Sequence, residues 1–160
     1  MDNLAKEILK DIALEEISPR AQKRTPVDHW SPAILLERAA YLKKMAGFGN
    51  GSATEKLREY PRHMALLSFY SRDCEPEMYQ DFAFLFCVLA GSATLLAGGT
   101  LIRVQVVESG LMRGTSIEGG NRQELKAGEI THVPAGLPHQ ILVAGEKTFT
   151  CLVLKIQEVE

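Results

Sequence analysis

Histidine is the side chain best suited to acid–base work and metal ligation near neutral pH, and the chain carries four of them. His139 closes the stretch 128–139, GEITHVPAGLPH. In this stretch Ile130, Thr131, His132 and Val133 alternate like a short strand. Pro134, Ala135, Gly136, Leu137 and Pro138 then impose a turn, since proline fixes φ and glycine accepts φ > 0. Ile141, Leu142 and Val143 read as the next strand. A rigid turn with a histidine at its exit aims one imidazole into the interior of a sheet. The plainer alternative is a proline–glycine turn with an incidental histidine.

Other candidates are scattered more widely. His132 lies seven residues before His139, and His63 lies on an earlier apolar run. Asp81 or Glu77 could pair with His139 in acid–base chemistry, and Glu75 is a further carboxylate nearby. Arg103 and Arg113, with Glu108 and Glu118, could clamp a carboxylate or phosphate, or form a solvated strand face. Cys87 and Cys151 sit in apolar runs and read as small core residues, and Cys74 has no partner at zinc-ligand spacing.

The elements that must position these residues differ along the chain. Apolar residues at helical spacing over 3–17 predict an amphipathic helix, followed by a polar linker over 19–29. Ser31 and Pro32 form a helix start, serine as cap and proline in the first turn, and Gly47 marks its stop. A flexible segment over 47–52 and a further short helix over 53–60 are expected. Beyond residue 62 short apolar runs separated by turn residues predict strands at 63–70, 82–90, 93–96, 101–107, 130–133, 140–143 and 148–155. Gly98 and Gly99 suggest a tight hairpin. The division is a helical arm over 1–61 and an antiparallel β domain over 62–160.

Composition narrows the class. The net charge of −2 gives no global attraction to nucleic acid or an anionic membrane. No apolar run approaches the roughly 20 residues needed to span a bilayer. The acidic, amphipathic start lacks the pattern of a secretory signal. Three widely spaced cysteines do not make a disulfide framework, so a cytoplasmic setting is expected.

The residues Gly128, Pro134, Gly136 and His139 stand at the spacing of the second cupin motif, and the chain resembles that family. The run FLFCVLAG over 84–91 resembles the end of the first cupin motif, with Gly91 at its glycine. The resemblance implies a mainly β, antiparallel jelly-roll barrel, here with an α-helical N-terminal arm, and a homodimer. It also implies a metal site of three histidines and a glutamate, and here the chain departs from the pattern. Counting back from Gly91 puts Phe84 at the glutamate position. The histidine pair falls on Met78 and Gln80, or with longer spacing on Glu77 and Tyr79. Of the usual ligands only His139 remains, and one imidazole does not hold a divalent metal at useful affinity. The reading is therefore a small-molecule-binding cupin without the usual metal, its ligand met by His139, Tyr79, Gln80, His132 and Phe84. The alternative is a metal-dependent oxygenase or isomerase with a divalent transition metal on His139, His132 and His63. A third reading has Phe82, Phe84 and Phe86 filling the barrel, leaving an interaction module. No nucleic-acid or membrane partner is expected, and whether a reaction occurs is open.

Overall fold

A computed structural model describes residues 27–158 of the chain. The helix expected over 3–17 and most of the linker after it lie outside the described residues. Two compact units divide the chain, Met1–Trp30 and Ser31–Glu160. The second unit contains every element described below.

Helix α1, Pro32–Gly47, forms where its end signals stand. The Ser31 hydroxyl accepts a hydrogen bond from the Ile34 amide at 3.2 Å, and Pro32 needs no acceptor in the first turn. Leu35, Ala39, Leu42 and Ala46 recur every three or four residues and are its buried stripe. That stripe packs on strands β1 and β2.

Strand β1, Ser52–Glu59, replaces the short helix expected at 53–60. Its composition, SATEKLRE, favours a helix locally. Pairing with β2, His63–Tyr70, from Ser52 opposite Tyr70 to Glu59 opposite Met64, outweighs that preference. A bidentate Arg38–Glu55 ion pair also ties α1 to β1. The compact unit Ser31–Glu160 includes both elements.

The remaining strands are β3 (Glu77–Tyr79), β4 (Phe82–Ala97), β5 (Thr100–Ile102), β6 (Gln105–Glu108), β7 (Leu111–Arg113), β8 (Ser116–Glu118), β9 (Asn121–Lys126), β10 (Ile130–Val133), β11 (His139–Leu142) and β12 (Phe149–Gln157). All pairings are antiparallel. The two strands expected at 82–90 and 93–96 are one, and β4 is the spine of the barrel. Its first half pairs with β12 and β10, and its second half with β9 and β11. Gly91 joins the halves at φ 74°, and a Cβ there would lie 1.9 Å from the Thr148 carbonyl oxygen. Only glycine permits both the conformation and the approach. One ladder runs β1–β2–β12–β4–β10, and the other runs β9–β4–β11–β3–β7–β6.

Gly98 and Gly99 do not close a hairpin between their flanking strands: β4 pairs with β9 there, and β5 pairs with β8. The expected strand at 101–107 is divided between β5 and β6 for the same reason. The core lies between the ladders and comprises Phe84, Phe86, Val88, Ala93, Leu95, Leu125, Val133, Ile141, Val143, Phe149, Cys151 and Val153. No helix among the described residues is long and apolar enough to cross a membrane.

Candidate functional site

The turn over 134–138 carries the chain from one ladder to the other, since β10 pairs with the first half of β4 and β11 with the second. Gly136 takes φ 75°, as its place in the turn demands. Its amide donates to the Tyr79 carbonyl at 2.8 Å, and the Gly98 amide donates to the Pro138 carbonyl at 2.8 Å. These two bonds fix the exit of the turn. His139 is the first residue of β11, set between Glu77 on β3 and Ala97 on β4.

The His139 ring is 4% exposed. It lies 5.2 Å from the Phe84 ring and 6.2 Å from the Phe86 ring, centre to centre. Its Nδ1 is 3.3 Å from the Leu137 carbonyl oxygen, which can only accept, so Nδ1 carries the proton of the neutral ring. Nε2 is left as a bare acceptor, 4.0 Å from Glu77 Oε1 and beyond hydrogen-bond distance. Burial holds the His139 pKa below its ordinary value, against a smaller opposing effect of the Leu137 bond.

A cavity of about 240 Å³ opens beside this ring. Phe84, Phe86, Tyr79, Leu66, Ile141 and Val153 form its apolar wall. Thr54, Ser68, Tyr70, Cys74 and Gln140 supply polar atoms, and Glu75, Glu77, Arg113 and Lys155 supply charge. The interior is therefore not filled by Phe82, Phe84 and Phe86, which the third sequence reading required.

Several polar groups are held in place. Ser68 and Thr54 share a hydroxyl–hydroxyl bond of 2.9 Å, and Gln140 Nε2 donates to the Cys74 carbonyl at 2.7 Å. Arg113 Nε lies 3.6 Å from Glu77 and 3.8 Å from Glu75. Burial raises the Glu77 pKa, and the Arg113 guanidinium opposes that rise. Burial, helped by the Glu77 charge, pushes the Tyr79 hydroxyl up to about 12. The Cys74 thiol is pushed to about 12, first by burial and then by Glu77 and Asp73, which leaves it a thiol and a poor nucleophile. Lys155 Nζ lies 4.1 Å from the centre of the Tyr79 ring and 4.5 Å from that of Phe82. Burial lowers its pKa, and Glu108 and Glu77 act against that.

Of the residues expected at a ligand site, the structure brings His139, Tyr79 and Phe84 together on this cavity. Gln80 and His132 are not there. Gln80 follows β3 with its side chain exposed. On β3 the alternation puts Glu77 and Tyr79 on the cavity and turns Met78 away, so the longer spacing back from Phe84 is the one realised. His132 is exposed and lies on a separate groove with Gln123, Glu124, Glu129, Ile130 and Thr131. It stands opposite Leu85, one position from the inward-facing Phe84 and Phe86. His63 stands at the start of β2, exposed and stacked on Tyr60 at 4.4 Å. The three imidazoles do not share one site.

The donors around His139 do not fit a divalent-metal centre. Among the described residues no three His, Cys, Asp or Glu side chains converge as metal ligands. Carbon surrounds the imidazole where Phe84 and Phe86 stand, and Glu77 is engaged by Arg113. Lys155 went unnoticed in the sequence, although a signal was present. Phe149, Cys151 and Val153 share one face of β12, and Lys155 is the next residue of that parity.

No protein-family model matches the sequence, and no curated protein matches it. Solved structures do resemble the fold. The protein TT1209 from Thermus thermophilus is 14% identical with a TM-score of 0.53, over 78% of this chain and 95% of that one. A conserved protein with a double-stranded β-helix domain from Klebsiella pneumoniae is 15% identical with a TM-score of 0.51, over 68% and 80% of the two chains. The cupin domain of Cnp3 from Schizosaccharomyces pombe is 14% identical with a TM-score of 0.50, over 67% and 65%. At such identity the likeness speaks for the fold alone. The strand order, the Gly91 spine and these likenesses agree: the chain has the double-stranded β-helix fold of the cupins.

Proposed function

We propose that the cavity is the binding site of a small organic molecule, held by hydrogen bonds and ring contacts without a metal. The observation that carries this reading is His139: a buried imidazole with one nitrogen committed to Leu137 and the other bare on a cavity of about 240 Å³. A cavity with an apolar wall and a few placed polar groups is the usual form of a small-molecule site. The ligand would meet Tyr79, Phe84 and Phe86 with its carbon surface and give a hydrogen bond to His139 Nε2.

The test is elemental analysis of protein purified without chelator or histidine tag, followed by thermal-shift screening of a metabolite panel with His139→Ala as the control. The expected result is no stoichiometric metal, and at least one compound that raises Tm in the native protein and not in the variant. Stoichiometric Fe, Mn, Ni, Cu or Zn that is lost in the variant would overturn the reading.

A further inference from the structure

The cavity offers two polar groups of opposite kind that make no hydrogen bond among the described residues and are open to an incoming molecule. One is the acceptor His139 Nε2 described above. The other is the ammonium of Lys155. It stands on β12 at the parity of Phe149, Cys151 and Val153, where the fold elsewhere places core residues. Two ring faces hold it, Tyr79 and Phe82. Among the described residues no carboxylate lies within ion-pair distance of it. Arg113 differs, being shared between Glu75 and Glu77. An incoming anion therefore meets a cation at Lys155 that feels Glu108 and Glu77 only from beyond ion-pair distance, and two carboxylates close by at Arg113. Phe84, Phe86, Ile141 and Val153 line the same cavity and give it an aromatic and aliphatic wall.

Resting on the reading that this cavity binds an organic molecule, we propose that its ligand is a single-ring hydroxylated carboxylate. Its carboxylate pairs with Lys155, its ring lies against Phe84 and Phe86, and its hydroxyl donates to His139 Nε2. A half-buried ammonium and an acceptor open on the cavity each gain a partner, and the ammonium–carboxylate bond is charge-assisted and so stronger than a neutral one.

Calorimetric titration with matched probes tests this. The probes are 3- and 4-hydroxyphenylacetate, 4-hydroxyphenylacetamide, which removes the charge, and phenylacetate, which removes the donor. One hydroxyphenylacetate isomer is expected to bind about tenfold more tightly than the amide and than phenylacetate. The advantage over the amide should vanish in Lys155→Met and survive in Lys155→Arg. The advantage over phenylacetate should vanish in His139→Phe. Circular dichroism of each variant establishes that it folds. Equal or tighter binding of the amide, an advantage that persists in Lys155→Met, or no binding by any probe would overturn the proposal. The metabolite panel and elemental analysis still decide separately whether the cavity binds a small molecule without metal.

Discussion

His139 is the residue on which the site turns, and its burial has a measurable consequence. The folded protein resists protonation of the ring, while the unfolded chain takes the proton at the ordinary value of about 6.5. The His139 pKa is depressed on folding. Its contribution to stability is therefore intact above about pH 6.5 and is lost as pH falls below it. Glu77 has the opposite sign: its raised pKa makes the fold gain stability as pH falls toward the ordinary carboxylate range. Urea denaturation from pH 8 to pH 5 should show stability falling below pH 6.5, with a slope of at most about 1.4 kcal/mol per pH unit. His139→Gln should flatten that fall and Glu77→Gln should steepen it. An unchanged slope in His139→Gln would mean that another group titrates. The place of His139 was legible because its turn is spelled by Pro134, Gly136 and Pro138. His132 was not placed by the same reasoning, because the turn changes ladders and resets which face a side chain takes.

Among the elements, the long strand β4 shows most directly how local chemistry sets the barrel. Gly91 and Gly136 have nearly the same dihedral, φ 74° and 75°, in different surroundings. A Cβ on Gly136 meets nothing within 4 Å, whereas one on Gly91 meets the Thr148 backbone at 1.9 Å. Gly136→Ala should therefore cost only the left-handed backbone penalty, about 1–2 kcal/mol. Gly91→Ala adds a clash of backbone with backbone that no rotamer relieves, and should cost more than about 3 kcal/mol. Chemical denaturation of the two variants separates the cases, and equal losses would show that the β4–β12 approach relaxes freely. Helix α1 and the strands β2 and β10 were readable because their patterns and end signals agree. Strand β1 was not readable, because its residues favour helix and its pairing partner begins beyond a turn at 60–62. The short β3, β7 and β8, three residues each, carry too little alternation to stand out.

Across the unit Ser31–Glu160, stability and the cavity make opposing demands, and Lys155 is where they meet. The inward parity of β12 runs through three buried residues, Phe149, Cys151 and Val153, before it reaches a lysine. The first three give the fold its core, and the sequence pattern showed them as a strand. The fourth was hidden because a charged residue at the end of an apolar run looks like a strand that has reached solvent. Desolvation works against the Lys155 ammonium, as its lowered pKa shows, and the more distant charges of Glu108 and Glu77 together with two ring faces offset it only in part. A residue selected for stability alone would be apolar at this position. Lys155→Met keeps the length of the side chain and removes the charge, so it should stabilise the free protein by about 1 kcal/mol. In the presence of a saturating cavity ligand the order should invert, because binding stabilises only the protein that retains the contact. Thermal melts of both proteins, with and without ligand, make the comparison. A variant less stable than the native protein without ligand would show that the lysine serves the fold through its contacts with Tyr79 and Phe82. A gain without ligand, lost with it, would mark Lys155 as a position held for binding at the expense of stability.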